Sequence, residues 1–420
     1  MMSGKNIFIK MDKFYKKRDD CRGCGGKDLA LVLDLGKMPP ANAFLNKSEL
    51  KIKEQKFPLM LYVCEDCRLL QLLHVVDPKI IFCDYPYLTS ASSYLAEHFE
   101  AMADKLAGRF ISSKNDLVIE IGGNDGVLLG RIKDRARVLN IDPAESITEL
   151  SRNKGVETLT KFFSNETADE VLKKYGNAKV VVANNVMAHI DNIRGIFEGV
   201  KKLIAKDGVF VFEVHWAGNL IGDGGFDQIY HEHLCYYSLI SLKRLAEIAG
   251  LQIFDVETVP MHGESLRVYM AKKRTASPAV EKMLLKEKRL GLDKTATFLK
   301  FRERVLENRE KLNLMLANIK KENKIIAGYG APAKGNTLLN YCGINGKTID
   351  YLVDTTSFKQ GTFAPGSKIP VLHPEELNAR RPDYVLLLAW NYADAILNKE
   401  TKMRSLGTKF ILPVPEPKIL

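Results

Sequence analysis

No stretch of this 420-residue chain is apolar for long enough to cross a membrane. A transmembrane helix needs about 18 or more consecutive apolar residues, whereas the longest apolar run, residues 384–390, fits one buried strand. Residues 1–17 are rich in lysine and lack the apolar core of about 7–15 residues that a secretion signal contains. We therefore expect a cytoplasmic protein that makes no membrane contact.

Cysteine is scarce, and no cluster of basic residues stands out. Seven cysteines cannot form the disulfide framework of a small secreted domain, and four of them occur as two pairs, which favours metal binding in a reducing compartment. The net charge is +11, but lysine and arginine are spread along the whole chain without a basic block interleaved with aromatics. We therefore do not expect nucleic-acid binding. Hydrophobic content of 46% and charged content of 27% exclude a disordered chain.

Three regions follow one another along the chain, which at roughly 100–200 residues per domain allows two to four domains. Residues 1–82 carry the cysteine pairs, residues 83–272 alternate strands and helices, and residues 273–420 begin with helices that break near Gly291 before a second alternation. The expected strands of the two alternating regions are 118–121, 138–141, 180–183, 209–214, 325–328, 351–353 and 384–389. This pattern predicts an α/β protein with a small metal-binding N-terminal domain, a Rossmann-like middle domain and a Rossmann-like C-terminal domain.

Two C-x-x-C pairs, Cys21 with Cys24 and Cys64 with Cys67, lie in the N-terminal region. Each pair can present two thiolates to one ion, and two pairs complete a tetrahedron. Four thiolates leave no open coordination position, so the expected site is structural zinc. A redox-active pair and incidental thiols are the alternatives.

The first glycine-rich turn, residues 122–126, lies between a predicted strand and a predicted helix at 127–132. Such a turn lets a ligand approach the backbone and the helix N-terminus, and a carboxylate at the end of the next strand can bind both hydroxyls of a ribose. The turn lacks the third glycine of a dinucleotide-binding motif and resembles motif I of S-adenosylmethionine (SAM)-dependent methyltransferases. A turn without a ligand is the alternative. The predicted cofactor-binding residues are Glu120, Gly122, Asn124, Asp125, Gly126, Asp142, Pro143 and Asn184.

The second glycine-rich turn, residues 328–333, matches G-x-G-x-x-A after a strand, and Asp354 ends the next strand. By itself this pattern would support NAD binding. Lys334 at the helix start and Lys359 in a later loop fit a phosphate or pyrophosphate equally well. A duplicated fold that binds nothing is the third possibility.

The segment Tyr230, His231, Glu232 and His233 places four polar side chains in succession. Histidine is well suited to proton abstraction near neutral pH, and a neighbouring carboxylate can raise its basicity. Metal binding by the two histidines and a solvated loop are the alternatives. His189 is expected at the mouth of the same sheet. Two further polar clusters lie at residues 85–90 and 262–267. Their side chains could equally be hydrogen-bonded polar groups at a boundary between domains.

Taken together, these segments resemble the three-domain, zinc-containing, SAM-dependent deoxysugar C-methyltransferases, which act on C3 of nucleotide-linked 4-keto-6-deoxy sugars. The matching segments are the two cysteine pairs and residues 84–87, 120–126, 230–234, 262–267 and 328–334. The resemblance implies zinc in the first domain, SAM in the middle domain and a nucleoside diphosphate (NDP)-linked sugar held partly by the last. Glu264 and His215 depart from the family pattern and put the identity of the sugar in question.

The resemblance also implies roles for single residues. His233 corresponds to the general base of the family and Glu232 would tune it. The residues that would place the sugar or donate to an enolate oxygen are Tyr230, His189 and Tyr87. Further expected substrate-binding residues are Tyr85, Ser90, His262, Arg267, Tyr329, Lys334, Asn336 and Lys359. An N- or O-methyltransferase acting on a nucleotide-sugar and a non-catalytic nucleotide-sugar-binding protein are the competing hypotheses. We expect a monomer.

Overall fold

The computed structural model describes residues 14–82, 88–261 and 264–420. The predicted site residues Tyr85, Tyr87 and His262 lie outside these ranges. Within them, none of the helices combines the length and the apolar character that a membrane span requires.

The N-terminal region is built from short antiparallel strands. Its elements are β1 (Tyr15–Lys17), β2 (Leu29–Met38), β3 (Phe57–Cys64), β4 (Leu70–Leu72), β5 (His74–Val76) and α1 (Pro78–Phe82). Strands β2, β3 and β4 pair in this order, and a two-residue strand from the middle region, Cys235–Tyr236, pairs with the free side of β4. The two regions therefore share one sheet.

The middle region contains a seven-stranded sheet with helices on both faces. Its elements are α2 (Ser93–Phe110), β6 (Leu117–Ile121), α3 (Val127–Ile132), β7 (Arg137–Ile141), α4 (Glu145–Asn153), β8 (Thr158–Leu159), α5 (Asn165–Tyr175), β9 (Ala178–Asn184), α6 (Ile193–Leu203), β10 (Ile204–His215), α7 (Ala217–Gly222), β11 (Cys235–Tyr236), α8 (Leu239–Ala249), β12 (Gln252–Val259) and β13 (Ser265–Ala271). The strand order is β12-β13-β10-β9-β6-β7-β8. Strands β7 and β9 lie on opposite sides of β6, so the carboxyl end of β6 is a topological switch point, where ligands bind in such sheets.

One end of this sheet departs from the expected parallel arrangement. Strand β13 runs antiparallel to both β10 and β12. The chain passes from β12 to β13 without a crossover helix, and strands connected in this way can pair only antiparallel. The predicted strands of this region, 118–121, 138–141, 180–183 and 209–214, include neither β12 nor β13, and the periodicity of a strand carries no information about its direction.

The C-terminal region begins with two helices and ends in a six-stranded sheet. Its elements are α9 (Pro278–Arg289), α10 (Thr295–Lys321), β14 (Ile326–Tyr329), α11 (Ala333–Cys342), β15 (Tyr351–Val353), β16 (Val371–Leu372), α12 (Glu376–Arg380), β17 (Tyr384–Leu387), α13 (Ala393–Lys399), α14 (Thr401–Ser405), β18 (Lys409–Leu412) and β19 (Lys418–Ile419). The strand order is β16-β15-β14-β17-β18-β19, with only β19 antiparallel. The predicted helix break is confirmed, because Gly291 has φ +72° between α9 and α10.

The three regions pack around one continuous hydrophobic core. It includes Leu61 of β3, Phe212 of β10 and Ile326 of β14, all fully buried. Buried Glu287 of α9 accepts hydrogen bonds from the first backbone N–H groups of α8, at Leu239 (2.6 Å) and Ile240 (2.8 Å).

The fold confirms the predicted α/β class. The domain boundaries after residues 82 and 272 remain predictions.

Candidate functional site

The four paired cysteines converge in the structure. Their sulfur atoms all lie within 4.8 Å of one another, and two of the distances, Cys21 Sγ to Cys67 Sγ and Cys24 Sγ to Cys64 Sγ, are 3.5 Å. Zn–S bonds of about 2.3 Å in a tetrahedron place the sulfurs roughly 3.8 Å apart. The donor set therefore fits one zinc ion with no position left for a substrate.

Hydrogen-bond donors support thiolates at this cluster. The Gln71 side-chain amide donates to Cys21 Sγ (3.0 Å), and the backbone N–H of Gly26 donates to Cys24 Sγ (3.4 Å). Donors of this kind stabilise metal-bound sulfur and fix its orientation. Gly26 cannot be replaced without rearrangement, because a Cβ there would lie 1.9 Å from the carboxylate of Asp66.

The first glycine turn follows β6 and leaves no space for side chains on its inner surface. Gly122 has φ +67°, and a Cβ there would lie 2.4 Å from Val186. A Cβ on Gly123 would meet the side chain of Asn140 at 2.6 Å. Asn124 adopts the left-handed conformation at φ 51°, for which asparagine is well suited. The glycines are thus required by close packing within the turn itself.

Two buried carboxylates face this turn. Asp142, at the end of β7, accepts the backbone N–H groups of Asn124 and Ala144, both at 3.0 Å. Burial and the neighbouring charge of Asp142 raise the pKa of Glu120 from 4.5 to about 8. Burial likewise raises the pKa of Asp142, although its backbone donors oppose the shift. Within the described residues, neither carboxylate forms an ion pair with a lysine or arginine. Because the pKa of Glu120 is about 8, Glu120 is largely protonated near pH 7, and a negative charge on either carboxylate would be uncompensated.

Several buried polar atoms at this edge have no hydrogen-bond partner within the described residues: Glu120 Oε2, both side-chain polar atoms of Asn184, and Asn185 Oδ1. Buried polar groups without partners are costly in free energy. Carboxylate and amide oxygens match the ribose hydroxyls and the ammonium group of SAM. The residues present therefore fit this cofactor, and contact of Asp142 with the ribose and of Glu120 and Asn184 with its polar end remains a prediction.

Three of the predicted cofactor residues have a different environment. Asp125 is buried, but its carboxylate forms an ion pair with Lys154 (2.8 Å) on the side of α4. Pro143 is exposed after the carboxyl end of β7. Gly126 has φ +75° and begins α3, where a Cβ would meet Ser151 at 2.6 Å. The structure thus gives Asp125 and Gly126 roles in shaping the turn, and their contact with a cofactor remains a prediction.

Three histidines and a tyrosine form an aromatic cluster at the carboxyl edge of the same sheet. His189 follows β9 and His215 ends β10, and their rings lie 4.9 and 5.5 Å from the ring of His233. The phenol oxygen of Tyr230 lies 2.7 Å from His233 Nε2. Val186, which packs over Gly122, lies three residues before His189. The cluster is therefore adjacent to the first glycine turn.

The hydrogen bonds of His189 and Glu232 differ from what the sequence suggested. His189 Nδ1 lies 2.9 Å from the carbonyl oxygen of Glu232, and burial lowers the pKa of His189 to about 4, so its ring is neutral near pH 7. The Glu232 carboxylate accepts from the side chain of Asn42 (2.7 Å), and burial raises the pKa of Glu232 to about 7. Within the described residues, the side chain hydrogen-bonded to His233 is Tyr230 rather than Glu232. The expected direct tuning of the base by Glu232 therefore needs correction.

His231 faces away from this cluster. It is buried against the N-terminal region, with Nε2 3.2 Å from the carbonyl oxygen of Phe57, and burial lowers its pKa to about 4. His231 and His233 therefore lie on different sides of this segment. His233 N–H donates to the carbonyl of Tyr230, so this segment is a turn and not an extended strand.

The second glycine turn repeats the backbone plan of the first. Gly330 has φ +85°, and Asp354, at the end of β15, accepts the backbone N–H groups of Ala331 (2.7 Å) and Thr356 (2.8 Å). Here a cation is present: Lys359 Nζ lies 3.8 Å from the Asp354 carboxylate and donates to the Ala331 carbonyl (3.0 Å). Burial lowers the pKa of Lys359.

A second buried lysine lies beside this turn. Lys334 Nζ lies 4.3 Å from the ring centroid of Trp390 and hydrogen-bonds Asn391, and burial lowers its pKa to about 8. Trp390 Nε1 donates to fully buried Asp227 of the middle region (2.6 Å). Sequence reasoning missed Asp227, Trp390 and Asn42, because no local motif marks them and their partners lie more than 160 positions away.

The remaining predicted substrate residues are dispersed. Arg267 is buried in an ion pair with Glu213 (2.5 Å), so its charge is already compensated. Asn336 is buried and donates to the Ala41 carbonyl (2.8 Å), while Tyr329 donates to Glu400 (3.0 Å). Ser90 is exposed before α2. Among the described residues of this group, Lys334 follows the second glycine turn directly and Lys359 hydrogen-bonds its backbone at Ala331.

Family models cover three parts of this chain. A model described as "C-methyltransferase C-terminal domain" matches residues 260–415, one described as "Methyltransferase domain" matches residues 94–256, and one described as "Putative zinc binding domain" matches residues 21–82. The last of these contains all four clustered cysteines, and the middle one contains the first glycine turn.

Relatives extend the match to the full length. The C-methyltransferase NovU of Streptomyces niveus is 36% identical over 414 residues, which cover 98% of this chain and 99% of NovU. Among solved structures, magnesium protoporphyrin IX methyltransferase of Synechocystis PCC 6803 with bound SAM is 11% identical, with a TM-score of 0.32 and coverage of 42% of this chain and 79% of that one. A SAM-dependent methyltransferase of Clostridium acetobutylicum ATCC 824 is 12% identical, with a TM-score of 0.34 and coverage of 48% and 96%.

A relative this similar over the whole chain excludes the non-catalytic alternative and favours carbon over nitrogen or oxygen as the methyl acceptor. The cysteine cluster fits one zinc ion, and the first glycine turn lies within the residues that match the methyltransferase domain. The chain therefore belongs to the C-methyltransferase family and is a SAM-dependent enzyme with a zinc-binding N-terminal region.

Proposed function

We propose that this enzyme methylates C3 of an NDP-linked 4-keto-6-deoxy sugar in the synthesis of a branched sugar. One observation carries the proposal: the cluster of His233, Tyr230 and His189 lies beside the first glycine turn, at the carboxyl edge of the middle sheet. A carbon nucleophile must be generated by removing a proton, and this cluster supplies both a base and hydroxyl or imidazole donors.

His233 is proposed as the base. A ketone at C4 makes the hydrogen on C3 acidic, because the resulting charge is shared with the ketone oxygen. The C3–H bond breaks, its proton passes to the imidazole of His233, and the electron pair forms an enolate over C3, C4 and the oxygen. The phenol oxygen of Tyr230, 2.7 Å from Nε2, is proposed to accept the Nε2–H of the ring, which leaves the phenol hydrogen for the enolate oxygen.

The enolate oxygen requires a hydrogen-bond donor. Tyr230 is proposed for this role, and His189 is the second candidate because its ring is neutral and fixed by the Glu232 carbonyl. A donor held in place before the reaction stabilises the developing charge at little reorganisation cost. SAM, when bound, supplies an activated methyl group for the nucleophilic C3. The proton on His233 is then released to solvent.

The second glycine turn is proposed to bind the diphosphate of the substrate. Lys334 and Lys359 are two largely buried cations beside a helix N-terminus, an arrangement that favours phosphate. Asp227 and Trp390 connect this turn to the middle region, so the sugar end of the ligand can extend toward the His233 cluster. Cytoplasmic location and a monomeric state remain part of the proposal.

Isotope exchange in the His233→Asn variant tests the proposal. Without a basic nitrogen at this position, kcat should fall about 10²–10⁴-fold, whereas KM and SAM affinity should change little because neither ground state depends on proton transfer. Exchange of deuterium from C3 of a 4-keto sugar nucleotide, measured by mass spectrometry without SAM, should fall in parallel.

Two further variants give this test its controls. His373→Asn changes an exposed histidine of the C-terminal region and should leave exchange and turnover at the wild-type level. His189→Asn should slow exchange without abolishing it. If His189→Asn abolishes exchange while His233→Asn retains it, the base is His189, and if all variants retain exchange, the proposed enolate chemistry is wrong.

A further inference from the structure

We propose that Arg22, which lies inside the first zinc-binding pair, is a positioning residue for the catalytic base. The observation is a direct hydrogen bond: Arg22 Nη1 donates to the carbonyl oxygen of Leu234, the residue after His233, at 2.8 Å. Residues 230–234 are called the base loop below. The inference rests on the proposed role of His233.

Arg22 is held rigidly at its own end. It lies between the zinc ligands Cys21 and Cys24, and its backbone N–H donates to Gln71 (3.1 Å), which in turn donates to Cys21 Sγ. The guanidinium is fully buried, and its Nε and Nη2 groups lie 3.4 Å from Asp191, two residues after His189. One side chain therefore reaches from the zinc cluster to both loops of the histidine cluster.

The N-terminal region holds the base loop at several points. Leu234 O also accepts from Leu72 N–H (2.9 Å), His231 contacts the Phe57 carbonyl, and Glu232 accepts from Asn42. On the other side, Leu234 N–H donates to Ala188 O (2.7 Å). The loop is thus clamped between the zinc-binding region and the residues before His189, and its geometry depends on both.

The physical consequence concerns the position of His233. Groups that orient a catalytic side chain typically contribute about 10–100-fold to activity, because the reacting atoms must be placed to within a fraction of an ångström. The zinc site lies apart from the reaction and offers no coordination position. Its ligands nevertheless fix the backbone of Arg22, so the metal site sets the position of the base through this one side chain.

The experiment compares Arg22→Met with Arg68→Met in the full-length, zinc-loaded enzyme. Arg68 follows the second cysteine pair but contacts Glu65 and Thr295 and not the base loop. For Arg22→Met we expect zinc content near one per chain and SAM affinity within about twofold of wild type. Turnover and C3 deuterium exchange should both fall about 10–100-fold, with KM changed by less than about threefold. Arg68→Met should keep wild-type values.

Arg22→Lys provides a second variant in case Met at this position impairs folding. A lysine keeps the charge but not the forked geometry, so it should recover part of the exchange rate. Either Arg22 variant that folds with wild-type melting temperature and exchanges at the wild-type rate overturns the inference. Loss of zinc from Arg22→Met or an equal loss of activity in Arg68→Met would also overturn it.

Amide hydrogen exchange of the wild-type protein gives a readout independent of activity. Removal of zinc by a chelator should raise exchange in residues 230–236 as well as in the cysteine pairs. Unchanged protection of residues 230–236 on zinc removal would contradict the coupling. If His233→Asn and His189→Asn both retain deuterium exchange at C3, the proposed function fails, whereas a failure confined to the Arg22 variants leaves that function intact.

Discussion

The two glycine turns share a backbone plan and differ in charge. In each, an aspartate at the end of the next strand accepts one N–H from the turn and one from two residues downstream, as Asp142 does with Asn124 and Ala144, and as Asp354 does with Ala331 and Thr356. At the first turn, the acid is accompanied by buried Glu120. At the second, it is accompanied by Lys359 and Lys334.

Under the proposed function, this difference lets one fold bind two unlike ligands. A carboxylate-lined turn accepts hydrogen bonds from ribose hydroxyls and attracts the cationic end of SAM. A lysine-lined turn attracts the diphosphate of a nucleotide-sugar, because two partly desolvated cations interact strongly with anions. The backbone therefore provides the pocket, and the side chains beside it determine whether a positively or a negatively charged ligand group is attracted. Three changes test this comparison, from the largest expected effect to the smallest.

Asp142→Ala should have the largest effect on binding. Loss of the carboxylate removes charge-assisted hydrogen bonds to the ribose, and SAM affinity should weaken by about 1–3 kcal/mol, or roughly 5–150-fold. Asp142→Asn retains the acceptor for backbone N–H groups and distinguishes a ligand effect from a collapsed turn. Calorimetry measures the affinity directly.

The matched control is Asp354→Asn in the second turn. It has the same place in the fold, and it should leave SAM affinity unchanged while raising the KM for the nucleotide-sugar. Equal SAM affinity in wild type and both Asp142 variants would show that the cofactor binds elsewhere, and weaker SAM binding in Asp354→Asn would reverse the assignment of the two turns.

Lys334→Met should have an intermediate effect. The second lysine retains part of the attraction for diphosphate, so we expect the KM for the nucleotide-sugar to rise about tenfold, with kcat less affected. Lys311→Met, which removes an exposed lysine of α10, should leave KM unchanged. Tight NAD binding at this turn would revive the dinucleotide interpretation and contradict the assignment.

Glu120→Gln should have the smallest effect, visible in stability without ligand. The pKa of Glu120 is raised to about 8, so its protonated form is favoured in the folded protein. The contribution of this shift to the free energy of unfolding is fully present below the pKa that Glu120 has in the unfolded chain. It is lost as pH rises through about 8. Glutamine mimics the protonated form, so the variant should melt about 1 °C higher than wild type at pH 9 for each 1 kcal/mol gained.

The two proteins should melt alike near pH 4, where both the carboxyl and the amide are neutral. Scanning calorimetry across pH 4–9 tests this. A wild-type advantage that grows with pH would mean that Glu120 is stabilised in its ionised form, and the first turn would then not carry uncompensated negative charge.

The sequence predicted much of this structure because the signals are local. Cysteine pairs at C-x-x-C spacing, glycine turns directly after apolar runs and a helix break at Gly291 all depend on neighbouring residues. The longer or central strands were found for the same reason: β6, β7, β9, β10, β14, β15 and β17. Strands β8, β12, β13, β16, β18 and β19 were not predicted. Expectations failed where a side chain could turn either way, as with His231, which faces Phe57, and Arg267, which pairs with Glu213.

What the sequence by itself determined, therefore, is the chemistry available: four thiolates, two glycine turns, two acids after strands and a histidine-rich segment. Only the tertiary structure decided which of these groups meet. It placed His189, His215 and His233 together at one sheet edge. It paired the Glu232 carboxylate with Asn42 rather than with His233. It also connected the zinc cluster to the base loop through the hydrogen bond of Arg22. These contacts span up to 212 positions in the chain, and packing rather than local backbone preference fixes them.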